Sequence, residues 1–190
     1  MVKEEVISTD AELVERCAKG DDGAAEELYR RFRLPFYAYF NRMLNGDRAN
    51  ADDLFQELWI RIFDKIGSCR NPERFAAWSF QVARNLLMQH FRNGARRGRF
   101  VTLTLDGELP DSAGEPDLPD ETESFEDMAA RVDRLLELLP PLQREVFQLR
   151  RSGLSFKEIA ELQKCPLNTA LSRMHYCMTF LRKGLKDDQR

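Results

Sequence analysis

Cysteine and histidine, the residue types that most often bind metals or act as nucleophiles, are sparse in this chain. Its four cysteines form no Cys-x-x-Cys pair, and its two histidines lie far apart in sequence. A zinc site needs closely spaced ligands of these types. No Gly-rich phosphate loop and no nucleophile beside a base is recognisable. We therefore expect no metal or other cofactor, no catalytic site, and reduced, partly buried thiols.

Recognition of DNA bases is the chemistry that the segment Gly153 to His175 favours. Two short stretches of helical periodicity are joined there by a tight turn at 163–165, which is typical of a helix-turn-helix. Ala160 supplies the small residue where the two helices cross. Apolar residues on the inner faces would be Ile159, Cys165, Ala170 and Met174. An ordinary helical hairpin with a solvated polar face is the alternative.

The second helix of this motif would enter a major groove with its N-terminal half. The side chains projecting from it would include Ser172, Arg173, His175 and Tyr176. Lys164 occupies the turn position usually taken by Gly, so it must adopt a left-handed conformation or use another turn. Leu171 and Tyr176 stand where basic residues are common, which predicts a weak, less salt-dependent DNA affinity for this half alone.

The net charge of −3 hides a basic, acidic, basic pattern along the chain. Residues 100–130 contain no Lys or Arg, and residues 99–124 combine acids with Pro and Gly, which is typical of a linker. The arginines before the linker suit phosphate binding, because guanidinium groups bind phosphates bidentately. They are Arg92, Arg96, Arg97 and Arg99.

Helical periodicity dominates the rest of the chain, so we predict an all-α fold. Two small helical domains, 1–98 and 125–190, would be joined by the acidic flexible linker 99–124. In the first domain, Thr9 or Asp10 and Asp21 or Asp22 would cap helices, and Asn50 would cap a third. Pro35 predicts a kink or a helix restart. In the second, we predict helices around 132–139, 143–151, 156–162 and 166–181.

The N-terminus has no apolar signal-peptide region, and no apolar run approaches the roughly 20 residues that span a bilayer. These features favour a cytoplasmic protein.

Three segments together resemble the extracytoplasmic-function (ECF) sigma factors of bacterial RNA polymerase. Residues 139–150, LPPLQREVFQLR, with the following helix-turn-helix, resemble domain 4 of that family. Residues 51–63, ADDLFQELWIRIF, resemble the polymerase-binding helix of domain 2, and residues 74–87, RFAAWSFQVARNLL, resemble its promoter-melting helix. The resemblance implies a dissociable polymerase subunit that recognises and melts promoter DNA.

The resemblance implies two contacts with core RNA polymerase, on the β′ clamp helices and the β flap. An acidic face of the helix that contains residues 51–63 would contact basic residues of the clamp helices, and complementary charge would speed that docking. Taken alone, such a face is usually just solvated. The residues concerned are Asp52, Asp53, Gln56 and Glu57.

The resemblance also implies two contacts with promoter DNA. The minus-ten element would be held, with one base flipped into a loop pocket, by Cys69, Arg70, Asn71, Arg84, Asn85, Gln89, Arg92, Arg96 and Arg97. The minus-35 element would be read by Lys157, Asn168, Thr169, Leu171, Ser172, Arg173, His175 and Tyr176. The acidic linker either solubilises the chain or follows the RNA path through the polymerase.

Regulation by an anti-sigma factor is a further implication of the resemblance. Two other functions stay open: a sigma-like decoy that binds an anti-sigma factor without DNA, and a stand-alone helix-turn-helix repressor. The repressor would leave the first domain without a role, and it predicts a two-fold dimer.

Overall fold

The computed structural model describes residues 8–96 and 125–187, and all regular secondary structure in them is helical, which confirms the all-α class. The linker predicted at 99–124 lies outside the described residues. The helices are α1 (Asp10–Cys17), α2 (Asp22–Met43), α3 (Arg48–Lys65), α4 (Phe75–Arg96), α5 (Phe125–Leu138), α6 (Pro141–Arg151), α7 (Phe156–Gln163) and α8 (Leu167–Asp187). Short 3-10 turns at Ile66–Ser68 and Pro72–Arg74 connect α3 to α4.

Side-chain caps start the first two helices where local sequence predicts them. Thr9 and Glu12 form a reciprocal capping box at α1, and Asp21 Oδ1 accepts the Ala24 N–H at 3.1 Å at the start of α2. Helix α2 runs without interruption through Pro35, so the alternative of a helix restart is wrong. Residues on both sides of Pro35, Phe32 and Phe36, are buried, and this packing offsets the backbone hydrogen bond that proline cannot make.

Helix α3 begins three residues before its predicted start. Its cap is Asp47, whose Oδ1 accepts the Asn50 N–H at 3.2 Å, so the predicted cap at Asn50 is wrong. Both residue types suit an N-cap. With Asp47 as the cap, Ala51 lies one turn inside the helix and is buried against the core.

Aromatic side chains form the core of α1–α4, the N-terminal unit. Ring centroids of neighbouring pairs lie 4.9 to 5.6 Å apart, in the edge-to-face and offset arrangements that aromatic quadrupoles favour. These residues are Phe32, Phe36, Tyr39, Phe40, Trp59, Phe75 and Phe80. They hold α3 and α4 against α2, and thereby fix the directions in which the outer faces of α3 and α4 point.

The C-terminal unit, α5–α8, contains the predicted helix-turn-helix in α7 and α8. Ser155 and Glu158 form a capping box at α7, and Lys164 ends that helix with φ 52°, in the left-handed conformation expected for this turn. Ile159, Ala160 and Ala170 are buried where the two helices pack together. The tight turn thus leaves the N-terminal half of α8 on the surface.

The two units pack against each other through α2 with α6 and α4 with α7. Buried residues of the C-terminal unit, including Val146, Leu149 and Ile159, join the hydrophobic cluster of the N-terminal unit. A second, smaller cluster lies between α5 and α8 and contains Leu136, Leu139, Cys177 and Leu181. The described parts of the two units therefore share a core.

Candidate functional site

The outer face of α3 carries the acidic residues predicted to bind a partner. Asp52, Asp53 and Gln56 are exposed, and Glu57 is half-buried, with its Oε1 accepting from Arg61 Nε at 2.7 Å. Ile60 lies one turn beyond Gln56 and is 65% exposed. Residues three and four apart share a helix face, so Ile60 is an apolar side chain within this acidic surface. The sequence alone could have indicated this side chain, because Ile60 interrupts the row of polar residues on this face of the helix.

A second surface is the row of polar side chains on α4. Asn85, Gln89 and Arg92 are exposed and lie four and seven residues apart, on one helix face. Asn85 Oδ1 accepts from Gln81 Nε2 at 3.0 Å, which leaves the Asn85 amide N–H groups available. The Arg96 side chain and all of Arg97 and Arg99 lie outside the described residues.

The loop before α4 presents two of its three predicted residues to solvent. Arg70 and Asn71 are exposed. Cys69 is only 8% exposed, and its thiol donates to the Asn71 carbonyl oxygen at 3.5 Å. Burial raises the pKa of the Cys69 thiol. In this arrangement the Cys69 side chain is buried and stabilises the loop backbone, whereas the Arg70 and Asn71 side chains are available to contact a partner.

Helix α8 presents a third surface, formed by its N-terminal half. Asn168, Leu171, Ser172 and His175 are exposed there, and Thr169 and Tyr176 are half-buried. Lys157 is exposed on α7. Arg173 turns inward instead, and its Nη1 donates to Gln163 Oε1 at 2.7 Å. The structure therefore gathers most of the predicted minus-35 residues on one surface, without the arginine.

Glu145 of α6 lies at the centre of the contact between the two units and is 1% exposed. Its carboxylate accepts from Tyr39 Oη at 2.8 Å, from Arg84 Nε at 3.1 Å and from Gln163 Nε2 at 2.8 Å. Burial, followed by the Glu145 charge, raises the pKa of Tyr39 well above its usual value. Two residues predicted to contact DNA, Arg84 directly and Arg173 through Gln163, are thus engaged in one hydrogen-bond network.

Arg144, beside Glu145, joins the ends of two helices. Its guanidinium is buried, which lowers its pKa, and it donates to the Arg42 carbonyl at 2.9 Å and to the Glu137 carbonyl at 2.6 Å. Asn45 Oδ1 accepts a further hydrogen bond from it. Carbonyl groups at helix C-termini lack intrahelical partners and carry partial negative charge, so a cation suits this place.

Two arginines form ion pairs between the units. Arg42 Nη2 lies 2.6 Å from Asp133 Oδ1, and Arg74 lies 2.7 Å from Glu161 Oε2 and 3.4 Å from Glu158 Oε1. The sequence analysis did not predict these pairs or the role of Glu145, because the partners in the other unit are 61 to 106 residues away and follow no local pattern.

Within residues 8–96 and 125–187, no group of three or more His, Cys, Asp or Glu side chains is arranged to hold a metal ion. None of the helices in these ranges is both long and apolar enough to cross a membrane.

Comparison with family models identifies both units. Residues 28–97 match the model of Sigma-70 region 2, and residues 129–175 match that of Sigma-70, region 4. The order of these regions defines a transcription-initiation factor of the sigma-70 class.

Curated relatives narrow that class. The ECF RNA polymerase sigma-E factor of Escherichia coli is 30% identical over 172 residues, which cover 87% of this chain and 88% of the relative. The RNA polymerase sigma-H factor of Pseudomonas aeruginosa is 26% identical over 93% of this chain and 94% of the relative. The chain belongs to the ECF RNA polymerase sigma factors. Sigma factors act with RNA polymerase and promoter DNA in transcription initiation, and in general they are not enzymes.

Solved structures show the same fold. CnrH, in a structure with the cytosolic domain of CnrY, aligns with TM-score 0.63 at 21% identity, over 94% of this chain and 98% of that chain. The sigma factor RpoE of Bartonella quintana, in a structure with the anti-sigma factor NepR, aligns with TM-score 0.62 at 21% identity, over 85% of this chain and 98% of that chain.

Proposed function

We propose that this sigma factor docks on RNA polymerase with the outer face of α3 and contacts promoter DNA with α4 and with the helix-turn-helix. The observation that carries the proposal is the exposed acidic face of α3, formed by Asp52, Asp53, Gln56 and Glu57 around Ile60. Apolar side chains surrounded by polar ones supply much of the binding energy at interfaces, and the acids set orientation and association rate. The partner surface is basic with an apolar recess, on the β′ clamp helices.

The exposed row of α4 and the preceding loop would hold the opened minus-ten element. Asn85 and Gln89 carry amide groups that can hydrogen-bond the edge of an unpaired base, and Arg92 suits a phosphate. Arg70 and Asn71 would form the wall of the pocket for a flipped base. Cys69 would shape the loop rather than stack on the base, because its side chain faces inward.

The described arrangement of the two units would be the form that the chain adopts away from polymerase. Arg84 has a side-chain exposure of 14% and is paired with Glu145, so it is poorly placed to contact DNA. Separation of the units on polymerase would release Arg84, because its partner Glu145 belongs to the other unit. The structures of CnrH with CnrY and RpoE with the anti-sigma factor NepR support a partner of the anti-sigma kind for this chain as well.

The experiment that tests polymerase docking is a pull-down of core RNA polymerase by this chain. The double variant Asp53→Arg/Glu57→Arg should lose retention, and Ile60→Asp should weaken it. A matched control, Glu15→Arg/Glu26→Arg, changes the charge equally at exposed positions on α1 and α2. Equal retention of the α3 variant and the control would place the docking surface elsewhere.

A decoy is the second candidate, because Arg173 is bonded to Gln163 and the exposed row in the N-terminal half of α8 carries no Lys or Arg. In vitro transcription from fragmented genomic DNA separates the two functions. A promoter-directing factor yields transcripts with defined starts that require this chain. Retention of polymerase without any such transcripts would favour the decoy.

A further inference from the structure

The exposed row on α8 is unusual for a surface that reads DNA, because it is uncharged. Asn168, Leu171, Ser172 and His175 are three, four and seven residues apart and therefore share one face of the helix. Between residues 166 and 176 the sequence has one Lys or Arg, and this residue, Arg173, donates to Gln163 Oε1 at 2.7 Å. The chemistry available on the face is thus amide, hydroxyl, imidazole and aliphatic, the last from Leu171 and from Leu167 one turn before it.

Leu171 is the aliphatic side chain within the polar row, and it does not pack into the core. It is 42% exposed, whereas its neighbour Ala170 is 0% exposed and, with Cys177 and Leu181, packs inward. Leu167, which is 40% exposed, lies one turn before Leu171, and the row is otherwise polar, so the apolar patch consists of two leucine side chains. A patch of this size is below that of typical protein-docking surfaces, but it fits a contact with one methyl group.

The major groove offers one apolar group that distinguishes bases, the C5 methyl of thymine. Guanine is most often read by a bidentate Arg or Lys, and the exposed row in the N-terminal half of α8 presents neither. An aliphatic side chain at the centre of the face can contact a thymine methyl, and it gains less from cytosine, which lacks that methyl group.

We propose that Leu171 is a specificity-determining residue that contacts the C5 methyl of one thymine in the upstream promoter element. This inference rests on the proposed function, in which α8 enters the major groove of that element. It assigns one base, thymine, to Leu171 at the centre of the face. It also explains why a leucine occupies a position where basic residues are common.

The test uses holoenzyme reconstituted from core polymerase and the full chain. The preferred upstream element is first selected from DNA randomised in that region. Each thymine of the selected element is then replaced in turn by deoxyuridine, which lacks only the methyl group. At one position the wild-type holoenzyme should bind about fourfold more weakly, the effect of losing one buried methyl contact.

Leu171→Ala makes the assignment specific. The Leu171→Ala holoenzyme should bind the thymine-containing element at least about fourfold more weakly than the wild-type holoenzyme does. Deoxyuridine at the same position should then cause no further loss of affinity, because both changes remove the same contact. Leu138→Ala is the matched control, since Leu138 is an exposed leucine at the end of α5. It should retain the full response to deoxyuridine.

Three outcomes overturn the inference. One is a selected element without a thymine that responds to deoxyuridine, and another is an unchanged response in Leu171→Ala. In both of these cases transcription by the holoenzyme still upholds the proposed function. The third is a chain that binds polymerase but selects no upstream element and initiates no transcript, which removes the proposed function and this inference together.

Discussion

The N-terminal and C-terminal units differ in how they build their cores. The core of the N-terminal unit is rich in aromatic side chains, whereas the buried apolar residues described in the C-terminal unit are aliphatic or cysteine. The apolar inner side of α6 and α7 is completed by the N-terminal unit, and only a small cluster between α5 and α8 belongs to the C-terminal unit alone. This aromatic-rich core fixes the outer faces of α3 and α4, which we propose for polymerase docking and promoter contact. The C-terminal unit depends on the N-terminal unit for part of its core, so separating the two units would expose apolar residues such as Val146 and Leu149.

The largest expected effect follows from removing an aromatic ring from the N-terminal core. Phe36→Ala should lower the free energy of unfolding by about 4 kcal/mol, because it leaves a cavity among Phe32, Trp59 and Phe80. Leu136→Ala in the small cluster should cost about 3 kcal/mol, confined to the C-terminal unit.

Urea unfolding followed by two signals checks this difference. Both tryptophans of the chain, Trp59 and Trp78, lie in the N-terminal unit, so fluorescence reports that unit, whereas circular dichroism reports both. Leu136→Ala should shift the dichroism transition and leave the fluorescence transition nearly unchanged. A coincident shift of both signals would mean that the two units unfold as one.

The next effect concerns the contact between the units. Glu145→Ala removes a 1% exposed carboxylate and leaves Tyr39 and Arg84 without their acceptor. Breaking a buried charge pair typically costs about 3 kcal/mol or more, and here that cost should fall on the packing of α6 against α2 and α4. Small-angle scattering should show an increased radius of gyration.

Glu15→Gln, an exposed carboxyl on α1, is the control and should leave the radius unchanged. The double replacement Glu145→Leu/Arg84→Met should restore much of the compactness, because it removes both charges together. An unchanged radius in Glu145→Ala would show that apolar contacts alone hold the units together.

A smaller effect, an increase in stability, is expected at the turn of the helix-turn-helix. Lys164 has φ 52°, a conformation that costs a side-chain-bearing residue about 1 kcal/mol, so Lys164→Gly should stabilise the C-terminal unit by about that amount. Asn45 of the N-terminal unit has φ 53°, yet Asn45→Gly should bring no gain. Asparagine tolerates this conformation, and Asn45 Oδ1 accepts from Arg144. Thermal unfolding of both variants tests the contrast.

The smallest expected effect is on the alkylation rates of two cysteines and not on the stability of the fold. Burial raises the pKa of Cys177 to about 12, so near pH 8 its reactive thiolate form is scarce. Cys165, half-buried in the turn, should be alkylated at least about tenfold faster. Mass spectrometry of the alkylated peptides measures both rates. Rapid labelling of Cys177 in the native chain would show that the cluster between α5 and α8 opens readily.

Local rules account for much of the fold. Caps at Thr9, Asp21 and Ser155 follow from side chains that accept backbone N–H groups a few residues away, and such contacts can be recognised in sequence. The predicted start of α3 was wrong because Asp47 and Asn50 are both good caps, and residue type alone does not distinguish them. Periodicity also identified the exposed rows of α3, α4 and α8, since one face of each helix faces the core.

The contacts that hold Arg84 and Arg173 were not predicted from the sequence, because no local pattern specifies them. Arg84 and Arg173 read as DNA-facing residues by their positions on helices. In the folded chain, Glu145 and Gln163 draw them inward, since a buried carboxylate and a buried amide must be satisfied. The positions of the helices, the turn at Lys164 and the motifs of the family can each be recognised in short stretches of the sequence. Whether the Arg84 side chain is exposed depends on Glu145, 61 residues further along the chain, so only the packing of the two units decides it.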